Sequence, residues 1–92
     1  MKVFAKLTIL KVSEPTVKKV KNNDVPMAYV VATDGDTFLA LTAWGEEKVQ
    51  LCKEAVVSGV AKEVVLSITG KQVDRDDGSI GYFNNVTIKH FL

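Results

Sequence analysis

The sequence predicts an all-β barrel of five strands with one short helix between the third and the fourth. Apolar and polar residues alternate at period two over most of the 92 residues, as half-buried strands require. The period becomes helical in one segment only, Glu46 to Val57. Polar clusters containing Gly, Asn or Asp separate the alternating runs, as turns do. A chain of this length with 47% hydrophobic residues builds one core and lies below the size at which cores split. Residues 1–92 are therefore expected to form a single domain.

The first strand runs from Val3 to Val12, with Ala5, Leu7 and Ile9 on one face and Phe4, Lys6 and Thr8 on the other. Ser13-Glu14-Pro15 interrupts it, and a polar, lysine-rich connection follows through Asn22-Asn23-Asp24. The second strand, Met27 to Thr33, begins after Pro26, where a missing backbone donor does least harm. Asp34-Gly35-Asp36 turns the chain into the third strand, Phe38 to Trp44.

In the helical segment, Val49, Cys52 and Val56 recur at helical spacing with Leu51 and Ala55. Acids open that segment and Gly59 closes it. Val60 to Val73 is the fourth strand, Asp74 to Ser79 a polar hairpin loop, and Ile80 to Leu92 the fifth strand. The order β-β-β-α-β-β is that of the OB-fold, a five-stranded Greek-key barrel that binds oligonucleotides or oligosaccharides across strands 2 and 3.

The third strand carries the most specific functional signal. Leu39, Leu41 and Ala43 share one face and suit a core; Phe38, Ala40, Thr42 and Trp44 share the other. Two large rings with small residues between them fill a core poorly and offer flat surfaces to flat ligands. Packing of one ring beneath a loop is the competing reading.

Twelve Lys and Arg against eleven Asp and Glu leave a net charge of +1, so attraction to a polyanion depends on where the charges sit. Residues 1 to 21 hold Lys2, Lys6, Lys11, Lys18, Lys19 and Lys21 against Glu14 alone. Lys6 projects opposite Leu7, and Lys18, Lys19 and Lys21 fall in the connection between strands 1 and 2, which lines the OB ligand groove. Lys71 and Arg75 lie on the other arm, where Arg75 also has acidic neighbours with which to pair. Lys6 reads equally well as a solvated strand lysine, whereas a phosphate role is favoured for at least one of Lys18, Lys19 and Lys21. Tyr82 is a further candidate for stacking or for packing.

Catalytic and metal chemistry have little support. His90 has no Ser or Cys beside it in sequence, the single Cys52 cannot form an internal disulfide, and Asp74, Asp76 and Asp77 lack the later glutamate of a calcium loop. No cofactor is expected. Lysines break the N-terminal apolar residues, no apolar run reaches membrane-spanning length, and a lone cysteine suits a reducing compartment. A soluble, cytoplasmic protein with no membrane partner is expected.

Met27-Ala28-Tyr29-Val30-Val31-Ala32-Thr33, Ala43-Trp44-Gly45-Glu46-Glu47, and Gly70 to Gly78 followed by Tyr82 resemble, in order and spacing, segments of the bacterial and phage single-stranded DNA-binding protein family. The resemblance covers nearly the whole chain. It implies sequence-tolerant binding of single-stranded DNA in replication, recombination or repair, with Phe38 and Trp44 stacking on bases. It also implies self-association as a dimer or tetramer, and the long apolar first strand suits edge pairing with another chain.

Three departures stand out. The family's further stacking aromatic falls at Val73, so that contact is absent unless Tyr82 or Phe83 replaces it. Ala28 and Val30 stand where a polar or basic residue often faces DNA. The sequence ends at Leu92 without the long linker and acidic tip by which bacterial members recruit replication proteins, which fits a minimal phage or plasmid type or a shortened chain. Two other readings share the fold: an OB protein-interaction subunit of a nucleoprotein complex, and an RNA-binding OB protein, whose stacking face would be the same.

Overall fold

Two strands reach an inward-facing position that their alternation would give to a polar side chain, and both correct it by gaining one residue. The computed structural model describes residues 1–92. Its elements are β1 (Lys2–Val12), β2 (Thr16–Val20), β3 (Asn23–Thr33), β4 (Phe38–Trp44), α1 (Glu46–Ser58), β5 (Lys62–Asp74) and β6 (Ile80–Phe91).

Along β1, Leu7 and Ile9 point inward, so strict alternation would bury Lys11. The register with β3 instead runs Ile9↔Ala32 and then Lys11↔Val31, leaving Leu10 as an extra residue. This bulge turns Lys11 outward and Val12 inward. Along β6, Ile88 is buried and alternation would bury His90. The register Leu66↔Ile88, Val65↔His90 makes Lys89 the extra residue, which turns His90 outward and Phe91 inward.

The first bulge also closes the barrel. β1 pairs with β5 over Lys2–Leu7 and with β3 over Thr8–Val12, so one bent strand belongs to both sides. The sheet order β1-β5-β6-β4-β3-β2 is completed by the β1–β3 pairing, and β4 meets β6 in a parallel contact at Thr42↔Thr87. The order expected from sequence is present, with one added strand. The expected lysine-rich connection is a β-hairpin: β2 pairs with the first part of β3, and its two turn residues, Lys21 and Asn22, both have positive φ (49° and 67°). Such two-residue turns match the twist of antiparallel strands. β3 therefore starts at Asn23 and runs through Pro26 rather than beginning after it.

The core comprises inward residues of β1, β3, β4, β5 and β6 with Val49, Cys52 and Ala55 of α1. The alanines Ala28 and Ala43 face each other across β3 and β4 and are fully buried. Their small size leaves room for the helix, which packs against β1, β3 and β4. Burial pushes the Cys52 thiol up to about 11, so it behaves as a small hydrophobe. Gly59 ends the helix in the left-handed conformation, donating its N–H to the Ala55 carbonyl at 3.0 Å. No helix is long and apolar enough to cross a membrane.

The turn before β4 is built on one carboxylate. Asp34 Oδ1 accepts from the backbone N–H groups of Thr37 (2.8 Å) and Asp36 (2.9 Å), and these bonds hold the Asp34 carboxyl below its ordinary value of 3.8. A carboxyl lowered on folding stabilises the native state above its unfolded value, and that contribution disappears as pH falls through the lower native value. Asp34→Ala is therefore expected to lower the melting temperature at pH 7. The gap from wild type should narrow as pH drops below about 3.8, as thermal melts over a pH series would read.

Alternation along β4 gives a second expectation. Leu41 is 2% exposed and Phe38 is 75% exposed. Leu41→Ala is expected to cost about 2–5 kcal/mol in urea unfolding, and Phe38→Ala no more than about 0.5 kcal/mol.

Candidate nucleic-acid interface

Residues directly opposite in an antiparallel pair share a face, so the β3–β4 register fixes what surrounds the two rings. Thr33 stands opposite Phe38, Val31 opposite Ala40, Tyr29 opposite Thr42, and Met27 opposite Trp44. The inward set is Ala28, Val30, Ala32, Leu39, Leu41 and Ala43, all packed in or against the core. Ala28 and Val30 thus face the interior rather than a ligand, correcting the expectation that they occupy ligand-facing positions. The outward positions of β3 are Tyr29, Val31 and Thr33.

Tyr29 is the residue that sequence reasoning missed. It is 60% exposed and lies between Phe38 and Trp44 on the same face. The strand's alternation contained the signal, since Tyr29 and Val31 share parity opposite the smaller Ala28 and Ala32. Its backbone is clamped by Ser13: the Tyr29 N–H donates to Ser13 Oγ at 2.9 Å, and its carbonyl accepts from the Ser13 N–H at 2.9 Å.

Trp44 is half-buried, and its indole Nε1–H donates to Thr42 Oγ1 at 3.2 Å. The Thr42 hydroxyl also hydrogen-bonds the Thr87 hydroxyl at 3.0 Å and lies 3.4 Å from the Val86 carbonyl. Thr42 is thereby committed to orienting the indole and fastening β4 to β6. The strand ends at Gly45, whose φ of 95° favours glycine and swings the chain into α1.

The hairpin divides the lysines. Lys18 stands opposite Val25, two residues from Met27, and so falls on the ring side; Lys19 stands opposite Asp24 on the reverse side, and Lys21 occupies the turn. None of the three lies in an irregular loop. Lys6 projects outward from β1 opposite Glu63 and borders a pocket of about 400 Å³ at the open barrel end, together with Asp34 and Leu39.

On the β5–β6 arm, Lys71 stands opposite Phe83. Both share the parity of Thr87, which touches Thr42, so Phe83 belongs to the ring side. Tyr82 stands opposite Gln72 on the reverse side of the arm. The Arg75 guanidinium lies over Gly81, close enough that a Cβ there would meet Arg75 Nε at 2.7 Å. At the arm's tip, Asp77 accepts from the Ser79 hydroxyl at 2.6 Å and from its backbone N–H at 2.9 Å, which holds the Asp77 carboxyl below its ordinary value.

The expected cluster is therefore partly assembled. Phe38, Thr42 and Trp44 share one face and gain Tyr29, with Lys18 at one flank and Lys71 on the arm. No group of three or more His, Cys, Asp and Glu side chains is placed to hold a metal ion.

No protein-family model matches the chain, and no curated protein does. Among solved structures, the chain is similar to the mitochondrial single-stranded DNA-binding protein Rim1 of S. cerevisiae. The TM-score is 0.64 at 20% identity, over 100% of this chain and 92% of that one. The six-stranded barrel with its single helix is thus an OB-fold of the kind found in that single-stranded DNA-binding protein.

Proposed function

We propose that this protein binds single-stranded DNA across β3 and β4, stacking bases on Phe38, Tyr29 and Trp44. The observation that carries the reading is that three rings point outward from two adjacent strands whose inward faces already supply the core. The OB-fold shared with a single-stranded DNA-binding protein supports it. Every base has a π-face, so stacking is sequence-tolerant and contributes about 1–3 kcal/mol per base. Lys18, Lys71 and Lys6 contact phosphates, adding a salt-sensitive term through counterion release. Lys21 and Arg75 serve as secondary contacts at the groove's edges, Lys19 faces away from the rings, and Phe83 is better placed than Tyr82 to add a fourth ring. A protein that covers exposed single strands serves replication, recombination or repair. Binding rather than catalysis is its task.

Trp44 is the only tryptophan, so its fluorescence reports binding directly. Oligo-dT is expected to quench it at low salt, with affinity falling as salt rises, and Tyr29→Ala is expected to weaken binding by about 1–3 kcal/mol. Unchanged fluorescence from a protein that circular dichroism shows to be folded would overturn the reading.

Self-association is part of the same proposal. Lys2–Leu7 pairs with β5 on one edge and with no strand on the other, and Phe4 projects exposed from this segment. An open apolar edge of this kind templates pairing with a second chain. Light scattering is expected to give a dimer or larger species, and Phe4→Pro, which removes a backbone donor directed at the open edge rather than at β5, is expected to shift the mass toward the monomer. A monomer at micromolar concentration would count against edge pairing.

A further inference from the structure

We infer that the hollow beside Trp44 is a subsite for one guanine base, held next to the bases that stack on the rings. The inference rests on the nucleic-acid reading above and adds a base preference that the ring face does not supply. The hollow has a volume of about 430 Å³ and lies between the end of β4, the first turn of α1 and the end of β6. That volume falls within the roughly 300–1,000 Å³ typical of small-molecule sites.

Its walls combine flat apolar and polar surfaces. Trp44 forms the side continuous with the ring face, so a strand leaving the indole meets the hollow next. Leu51 and Phe91, both half-buried, supply apolar surface. His90 and Lys48 bring an imidazole and an ammonium, and Glu46 and Glu47 bring two carboxylates. His90 reaches this position only because the extra residue Lys89 reverses the parity of β6.

These groups select among the bases by donor and acceptor pattern. Guanine alone offers two adjacent donors, N1–H and the 2-amino group, to both oxygens of one carboxylate. It also offers two acceptors, O6 and N7, on its opposite side. Glu47 takes the donor edge, while Lys48 and His90 donate to the acceptors. Thymine and cytosine present smaller rings and no adjacent donor pair. Adenine places a single amino group where guanine has its O6 acceptor, so it faces Lys48 with a donor and leaves Glu47 unpaired.

The chain has one Trp and one His, which gives each wall its own NMR signal. The test titrates the full chain with a nine-nucleotide oligo-dT and with the same oligomer carrying one central dG, dA or dC. Trp44 indole N–H and His90 imidazole C–H shifts are followed alongside affinity. The dG oligomer is expected to bind about tenfold more tightly than oligo-dT, within the range of one bidentate base contact. It alone should move the His90 signal, and Glu47→Gln should bring the dG-to-dT ratio toward one.

Equal affinities for all four oligomers, or a His90 shift that does not depend on the central base, would overturn the subsite. The stacking reading would stand in that case, because Trp44 still moves. If no oligomer moves Trp44, both fall together.

Discussion

A closed barrel imposes one rule on every strand: what faces in must be apolar and sized to fit, and what faces out is released from that demand. In this chain the rule is satisfied because β1 bends at Leu10 and pairs with β5 before the bend and β3 after it. Without that shared strand the sheet would have two open edges and no enclosed interior. With it, Leu7, Ile9, Val30, Leu41, Leu66 and Ile88 meet around one core, and no polar side chain is buried there. Outward residues on β3 and β4 are then freed from packing, and three of them are aromatic.

The same rule explains how the site is held. The stacking proposed for these rings needs fixed backbones, and the rings stand on strands whose other faces are locked in the core. Local bonds refine the arrangement: Ser13 clamps Tyr29, and Thr42 directs the Trp44 indole while tying β4 to β6. The alanine pair Ala28 and Ala43 admits α1 at the end where Trp44 sits, so the hollow beside the indole follows from the way small inward residues seat the helix. The bulge at Lys89 turns His90 outward, and the hollow is lined by His90 as well as Phe91. Bulges often re-aim side chains in this manner next to binding sites.

Electrostatics is secondary in this molecule. A net charge of +1 gives no general attraction to a polyanion, and the β2–β3 hairpin sends Lys18 and Lys19 to opposite sides. Cations that look like one cluster along the chain are dispersed in space. Aromatic surface is concentrated on the β3–β4 face, which places the weight of the proposed interface on its rings.

Local sequence was enough to establish the alternation along β4, the position of α1 and its closing Gly59, the polar turn at Asp34 and the outward parity of Phe38 and Trp44, because period and turn chemistry act between neighbours. It also holds the parity of Tyr29, which places that ring on the face opposite the buried Ala28 and Val30. The tertiary structure alone decided the rest. Whether Ala28 or Tyr29 faces inward depends on which side of β3 meets the core, and the β2–β3 hairpin depends on Lys21 and Asn22 adopting left-handed conformations that no glycine signals. The bulges at Leu10 and Lys89 appear only when two strands are paired, since an extra residue is defined by the partner that lacks it. Those pairings carry Lys11 and His90 to the surface, which simple alternation would have denied them.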